Sequence, residues 1–305
     1  MSFPRKLRNV SSKPYLVVII SIFLITSLWL LYSRKSTYHE VIGVHFTDAS
    51  LPFVFISIEN NSFPMTIDLG SRLDVKLHAN IADTFNLKKL GKEKWKNYLG
   101  KAFKYPKYDL PSLKVEKISF KHSILTAVPL EEQNEYCIWN NKTDDKQTPK
   151  TVGHIGRGLL QKVNLLLDMP ASKLVISNSL SKLKREGYDL NTFSKIPFTL
   201  TKKGIIIRAE TDLGQTKLLL DTGFTLTMLH DYLYPEGSEK TFDHMAFLAY
   251  KSDKFILENK SFESQPLYFI KMAKELNDID GFLGMDFISK HIVYIDFSSQ
   301  HLYIK

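Results

Sequence analysis

The segment "KLLLDTGFTL", residues 217–226, contains an Asp-Thr-Gly tripeptide directly after an apolar run. An apolar strand runs directly into Asp221-Thr222-Gly223, and the chain then becomes apolar again. Asp and Gly are the residues that any strand-ending turn prefers, so the tripeptide alone fits an ordinary turn as well as a catalytic carboxylate. A catalytic acid–base pair needs a second carboxylate in a matching setting. What matters is whether the chain contains a second loop of this kind.

A second Asp-x-Gly loop lies in "PMTIDLGSRLDVKL", residues 64–77, which aligns without a gap with "KLLLDTGFTLTML", residues 217–229. Both segments consist of an apolar strand, an Asp-x-Gly turn and then alternating apolar residues. The segments upstream, "FVFISIENNSF" and "GIIIRAETDLGQ", each predict a strand followed by a turn, so each loop ends the second arm of a hairpin. Asp68 is therefore the counterpart of Asp221.

Two further blocks recur in the same order. "LKVEKISFKHSILTAV", residues 113–128, matches "FILENKSFESQPLYFI", residues 255–270, and residues 153–176 match residues 280–304. Three blocks repeated in sequence indicate an internal duplication. We expect two homologous β-rich lobes, 43–178 and 196–305, joined by a polar linker at 179–195.

These motifs together resemble the pepsin and retropepsin clan of aspartic proteases. In that clan an apolar strand ends in Asp-Thr-Gly and is followed later by two apolar residues and Gly before a short helix. "HIGRGLL" supplies Ile155 and Gly156 for this second element, and "FLGMDFI" supplies Leu283 and Gly284. The resemblance implies a mainly β fold of two acid-protease-like β-barrel lobes, related by a pseudo-twofold axis.

The resemblance also implies the site and its chemistry. By position, Asp68 and Asp221 would be the catalytic aspartates that bind one water between them. The active-site loops would be formed by Leu69, Gly70, Ser71, Thr222, Gly223 and Phe224. Two carboxylates held close together share a proton, so one can take a proton from water while the other donates to the oxyanion of a peptide. The implied substrate is a polypeptide, and the mechanism needs neither a cofactor nor a metal.

Two positions depart from the clan's pattern. Leu69 replaces the Thr that, in relatives, forms a hydrogen bond across to the other loop, and Phe224 stands where a small polar residue such as Ser71 is usual. Such changes fit an enzyme of narrow specificity. They also fit a catalytically inactive module that binds peptides or a partner protein. The sequence leaves both interpretations open, with the active endopeptidase as the expectation.

The basic, aromatic stretch "KEKWKNYLGKAFKYPKY", residues 92–108, admits two interpretations. Alternating Lys and aromatic residues are typical of a surface that binds single-stranded nucleic acid. The stretch lies, however, where members of the clan carry the hairpin flap over the cleft. We therefore expect a flap and no nucleic-acid partner.

A membrane anchor is expected near the N-terminus. The segment "YLVVIISIFLITSLWLLY", from Tyr15 to Tyr32, contains 18 uncharged residues, and a helix of that length spans about 27 Å, close to the hydrocarbon thickness of a bilayer. Four basic residues precede it and two follow. The positive-inside rule therefore predicts that residues 1–36 form a cytosolic tail and a single transmembrane helix. The body would be periplasmic or otherwise extracytoplasmic, whereas the alternative is a cleaved signal peptide.

The remaining composition restricts the other classes of function. The chain has 305 residues and a net charge of +9, of which six charges belong to this N-terminal region, so the high pI says little about the body. The single cysteine, Cys137, excludes an intrachain disulfide and any site with several cysteine ligands. Asp168 and Asp296 occupy equivalent places after a strand, where a structural Asx turn is expected.

Overall fold

The computed structural model describes residues 37–129, 151–236, 241–242 and 247–305. Within these ranges no helix is long and apolar enough to cross a membrane. The segment from Tyr15 to Tyr32 lies outside them, as does Cys137, so the predictions for these residues stay predictions. The chain from Tyr38 to Lys305 forms one compact unit.

Eleven described strands come from the first half of the chain. They are β1 (His39–Gly43), β2 (His45–Phe46), β3 (Pro52–Ile58), β4 (Asn61–Asp68), β5 (Val75–His78), β6 (Lys88–Lys96), β7 (Ala102–Val115), β8 (Ile118–Val128), β9 (Gly153–Gly156), β10 (Leu165–Asp168) and β11 (Lys173–Ser177). Eight of them form the first-lobe sheet, in the order β2-β3-β4-β9-β5-β8-β7-β6.

Thirteen described strands come from the second half. They are β12 (Ser194–Pro197), β13 (Thr199–Leu200), β14 (Ile205–Thr211), β15 (Gly214–Leu220), β16 (Met228–His230), β17 (Thr241–Phe242), β18 (Leu248–Ser252), β19 (Phe255–Leu257), β20 (Lys260–Phe262), β21 (Gln265–Ile270), β22 (Gly281–Leu283), β23 (Ile292–Asp296) and β24 (His301–Ile304). The second-lobe sheet has the order β17-β18-β21-β16-β22-β15-β14-β19-β20, and β13 pairs with β14.

The two lobe sheets share one strand order. The path β6-β7-β8-β5-β9-β4-β3 in the first lobe corresponds to β17-β18-β21-β16-β22-β15-β14 in the second. The long strands β7 and β8 correspond to broken pairs in the second lobe, β18 with β19 and β20 with β21. At the matching hairpin turns, Glu116 and Glu258 both adopt positive φ, at 50° and 53°. The prediction of a mainly β, two-lobed fold is confirmed.

A third sheet joins the lobes. Its six strands follow the order β1-β11-β10-β23-β24-β12. At its centre β10 pairs antiparallel with β23, so that Leu166 lies opposite Tyr294. All four residues of β10 are buried, as expected for a central strand covered on both faces. The boundaries 43–178 and 196–305 stay predictions, because this sheet runs without a break from one lobe to the other.

Helices in the described part are short. They are α1 (Ala79–Ala82), α2 (Arg157–Leu160), α3 (Leu180–Arg185) and α4 (Met285–Ile288), with 3-10 turns at Leu190–Thr192, Asp231–Leu233 and Lys274–Leu276. Helices α2 and α4 begin directly after Gly156 and Gly284, the two glycines that the repeat places in equivalent positions. Each short helix therefore follows the strand that lies beside a candidate catalytic loop.

Candidate active site

Equivalent strands carry the two candidate aspartates. Strand β4 ends at Asp68 and pairs in parallel with β9, which places Gly156 opposite Asp68. Strand β15 ends one residue before Asp221 and pairs in parallel with β22, which places Leu283 opposite Leu220. The loop after each aspartate passes close to the glycine of the neighbouring strand. A Cβ atom on Gly156 would lie 2.2 Å from the Leu73 carbonyl oxygen, so a side chain there would displace the loop.

The two Asp-x-Gly loops meet at the junction of the lobes. A Cβ atom on Gly70 would lie 2.0 Å from Asp221 Oδ2, and one on Gly223 would lie 2.9 Å from Asp68 Cγ. Each glycine therefore faces the carboxylate of the opposite lobe. The absence of a side chain at both positions permits the close approach of backbone to carboxylate.

Each aspartate is held by its own loop and by the other aspartate. The Ser71 backbone N–H donates to Asp68 Oδ1 at 2.8 Å, and the Gly223 N–H donates to Asp221 Oδ1 at 2.7 Å. The hydrogen-bonding interaction between the two carboxyl groups lowers the pKa of Asp68 and raises that of Asp221, as expected of a pair in which one group carries a proton, because an ionised carboxylate can only accept.

Burial and charge give the pair different pKa values. Burial raises the pKa of Asp221 well above its ordinary value, and the charge of Asp68 raises it further. Burial also raises the pKa of Asp68, but the Ser71 N–H, the positive charge of Lys76 and the hydrogen bond from Asp221 oppose that rise. Like charges held this close cannot both form easily. The pKa of each carboxyl group is therefore raised, and that of Asp221 is raised the more strongly.

A one-sided clasp connects the loops behind the aspartates. Thr222 Oγ1 donates to the Ile67 carbonyl at 2.7 Å and accepts from the Leu69 N–H at 3.0 Å. Leu69 is fully buried and has no hydroxyl with which to return the interaction. As expected from Leu69 at this position, only the half of the reciprocal clasp that Thr222 forms is present.

The surroundings of the two loops differ in polarity. In the first lobe Ser71 Oγ lies 2.9 Å from His154 Nε2. The gapless alignment and the strand registers place Phe224 at the position of Ser71, and Phe282 at that of His154. These two rings stack with centroids 4.4 Å apart and planes inclined by 9°. A polar pair in one lobe is thus replaced by an aromatic pair in the other.

Two buried cations extend this difference. Lys76 is 7% exposed and Arg157 is 4% exposed. Arg157 Nη2 donates to the Lys202 carbonyl at 3.0 Å. Burial lowers the pKa of Arg157, and the charges of both aspartates oppose that fall. The equivalent positions in the second lobe hold Leu229 and Met285, both buried. The first lobe therefore places polar and cationic groups around the dyad, where the second places apolar ones.

The basic, aromatic stretch 92–108 forms a hairpin of β6 and β7 that extends to the second lobe. Its tip contains Tyr98, whose ring packs edge-on against Phe224 with centroids 5.0 Å apart. The Tyr98 carbonyl accepts from the Ala273 N–H at 2.8 Å, and Lys96 forms an ion pair with Glu275. The tip of this hairpin thus packs against the loop that contains Asp221, and its role as a flap stays a prediction.

Sequence reasoning assigned the aspartates and their loops but missed several neighbours of the dyad. His154, Lys76, Arg157 and Tyr98 had no assigned role. The internal alignment contains a signal for three of them, because the second lobe has Phe282, Leu229 and Met285 at the positions of His154, Lys76 and Arg157. A titratable residue in one lobe whose counterpart in the other lobe is apolar is the pattern that would have identified these neighbours of the dyad.

Comparisons with known proteins bear on the fold. No family model matches the chain, and no curated protein matches it. The structure is similar to an aspartic proteinase from Irpex lacteus, with a TM-score of 0.57 and 12% identity over 88% of this chain and 97% of that one. It is also similar to basic 7S globulin from soybean (TM-score 0.55) and to conglutin gamma, a basic 7S globulin from lupine seeds (TM-score 0.58). Each of these is 11% identical over 88% of this chain and 95% of the other.

Identities of 11–12% show the fold alone. That fold is the bilobal one of the pepsin-like aspartic proteases. Two of the three similar structures bear the name of a globulin and one that of a proteinase, so the fold does not by itself assign an activity.

Proposed function

We propose that this chain, with its bilobal pepsin-like fold, is an aspartic endopeptidase that hydrolyses polypeptides with Asp68 and Asp221. One observation carries the proposal: two carboxyl groups from homologous loops meet at the junction of the lobes, where each lies against the glycine of the opposite loop. Two carboxyl groups held this close cannot both ionise easily, and a pair that holds one proton is the arrangement that acid–base hydrolysis by a dyad requires.

The mechanism follows from the difference between the two carboxyl groups. Asp68, as the carboxylate, takes a proton from a water bound between the pair as that water attacks the peptide carbonyl. Asp221, as the carboxylic acid, donates its proton to the developing oxyanion. As the tetrahedral intermediate collapses, the C–N bond breaks, Asp68 gives its proton to the leaving amine, and one of the two hydroxyl groups of the intermediate returns a proton to Asp221 as the product carboxyl group forms. The apolar strands on either side exclude bulk water and strengthen these interactions.

A second candidate function is a peptide-binding module without activity. It is favoured by the half-complete clasp at Leu69 and by the aromatic ring of Phe224 beside Asp221, against which the flap residue Tyr98 packs. In this interpretation the same cleft holds an extended segment of a partner protein and does not cleave it. The two functions differ in what an Asp→Asn substitution changes.

The test compares the full-length protein with its Asp68→Asn and Asp221→Asn variants on a denatured protein substrate at several acidities. An amide cannot take the proton of the water, so each substitution should lower kcat/KM by about 10²–10⁴-fold. Asp253→Asn is the matched control, because this side chain is 83% exposed and lies on the surface. Its activity should equal that of the wild type.

Two results would overturn the proposal. One is equal cleavage by the wild type and by the double variant Asp68→Asn/Asp221→Asn. The other is a wild type that cleaves nothing at any acidity while it binds a peptide ligand that both variants also bind, which is the result expected of the binding module.

The pH dependence of the free energy of unfolding provides a test that does not depend on cleavage. Asp221 has a folded-state pKa above that of the unfolded chain. Its contribution to stability is therefore complete below the unfolded pKa of about 3.9 and is lost as the pH rises through the folded pKa. Asp221→Asn removes this loss, so the variant should have a higher free energy of unfolding than the wild type at neutral pH.

We also propose that the enzyme is anchored in a membrane by the segment from Tyr15 to Tyr32, with its body on the extracytoplasmic side. The proposal rests on the length of the apolar segment and on the basic residues that flank it. The protein should stay with membranes after a carbonate wash. Recovery of a shortened soluble form would identify a cleaved signal peptide instead.

A further inference from the structure

His154 is a partly buried titratable group in direct contact with Asp68 of the candidate dyad. Its side chain is 12% exposed, and its Nδ1 atom lies 3.5 Å from Asp68 Oδ2. Its Nε2 atom lies 2.9 Å from Ser71 Oγ, and the Ser71 N–H donates to the other carboxylate oxygen of Asp68. The imidazole and Ser71 therefore contact the two oxygens of the same carboxylate.

Asp68 and Ser71 together favour one tautomer of the imidazole. The Asp68 carboxylate near Nδ1 can only accept, so both ring nitrogens have suitable partners when Nδ1 carries the proton and Ser71 Oγ, which also accepts from the Leu73 N–H at 3.4 Å, donates to Nε2. A ring nitrogen that accepts carries no proton, so the neutral imidazole carries its proton on Nδ1. That N–H dipole has its positive end toward Asp68, where a negative charge is stabilised.

The charged groups around this imidazole agree with a neutral ring. They are Asp68 at the end of β4, Lys76 on the adjacent strand β5 and, beyond Asp68, Asp221 and Arg157. Burial first and the charge of Lys76 second lower the pKa of His154 well below its usual value. The ring therefore acts through its dipole and its two hydrogen-bonding nitrogens, rather than as a cation.

The geometry points to His154 as the positioning residue that fixes the asymmetry of the dyad, holding Asp68 as the base and leaving the shared proton on Asp221. This inference rests on the proposed function, since it assigns the two roles within the same dyad. The equivalent residue of the second lobe, Phe282, has no donor, so only one of the two aspartates receives this interaction.

The test measures carboxyl titrations by NMR in the full-length protein with ¹³C-labelled aspartate. The signals of Asp68 and Asp221 are assigned by their loss in the two Asp→Asn variants. In the wild type we expect Asp68 to ionise at lower pH than Asp221. In His154→Phe, which installs the residue of the second lobe, the pKa of Asp68 should rise by about half a unit or more. In His154→Asn, whose amide nitrogen takes the place of Nδ1, most of that rise should disappear.

Phe282→Leu is the matched control, because it alters packing at the equivalent position without changing any donor near Asp68. Its Asp68 titration should equal that of the wild type. The acidic limb of the kcat/KM profile should move with the Asp68 titration in all three variants. A purely structural role for His154 would lower activity at every pH without moving that limb.

The inference fails if Asp221 ionises before Asp68 in the wild type, or if His154→Phe leaves the Asp68 titration unchanged while the protein remains folded. These outcomes are distinct from failure of the proposed function. A protein that cleaves nothing still reports its carboxyl titrations, and a shift in His154→Phe would then assign the asymmetry in an inactive cleft.

Discussion

The two halves of the candidate site have the same arrangement of strands and loops, but the side chains around the aspartate are polar in the first lobe and aromatic in the second. Both present an aspartate at the end of a strand, a glycine that faces the opposite carboxylate, and a second strand in parallel register. Around Asp68 stand Ser71 and His154, whereas Phe224 and Phe282 stand beside Asp221. A symmetric scaffold can bring two identical groups together, but it cannot make them differ. The difference in pKa that acid–base chemistry needs has to come from the side chains.

The largest effect on activity is expected from substitution of the loop glycines, which the two halves of the site share. Gly70→Ala would place a methyl group 2.0 Å from the Asp221 carboxylate, so the loop and the dyad must separate. A displacement of about 1 Å at a reacting group can cost about 10²-fold in rate, and we expect kcat/KM to fall at least that far. Gly223→Ala, with its nearest contact at 2.9 Å, should be the milder of the two.

Gly43→Ala is the control for both glycine variants. Nothing lies within 4 Å of the added Cβ atom, and Gly43 does not adopt a positive φ. Its activity and its thermal unfolding should match those of the wild type. Equal activity in Gly70→Ala and Gly43→Ala would mean that the loops do not meet at the dyad as described.

A smaller effect, on the free energy of unfolding, is expected from substitution of Thr222, which forms the clasp from one side only. Thr222→Val removes the hydroxyl that binds both the Ile67 carbonyl and the Leu69 N–H, leaving two groups without their partner in a buried site. The free energy of unfolding should fall by about 1–3 kcal/mol, measured by denaturant titration.

Leu69→Thr is the counterpart of that variant, because it introduces a hydroxyl where the first lobe has none. If the missing half of the clasp can be rebuilt, the double variant Leu69→Thr/Thr222→Val should be more stable than Thr222→Val alone. Identical stabilities of Thr222→Val and the wild type would show that the one-sided clasp does not hold the lobes together.

The sequence predicted the features that depend on repetition. The internal alignment identified Asp68 from Asp221, and the structure brings both loops to one place. The sequence also predicted the structural turns at Asp168 and Asp296. The Ala171 N–H donates to Asp168 Oδ1, and the Ser298 and Ser299 N–H groups donate to Asp296, as expected of Asx turns.

Features that depend on long-range packing were not predicted. His154 lies beside Asp68 only because β9 pairs in parallel with β4 across a long separation in the chain. The Tyr188 hydroxyl, which donates to Asp168 Oδ2 at 2.8 Å, lies in the segment taken as a polar linker. Tyr98 reaches Phe224 through the length of a hairpin. In each case the partner is fixed by strand order, which no local pattern encodes.

The sheet shared by the lobes determines which strands can pair while the chain is still being synthesised. Strand β10 finds its central partner only when β23 has been made, because Leu165 lies opposite Ile295. Strand β12 likewise pairs only with β24, the last of the described strands. Pairings between such distant residues form slowly, because a long loop must close before any contact is gained. A ribosome-bound chain that has released the first lobe alone therefore holds one aspartate and no dyad. The candidate dyad can therefore form only after the second-lobe loop with Asp221 has also been made.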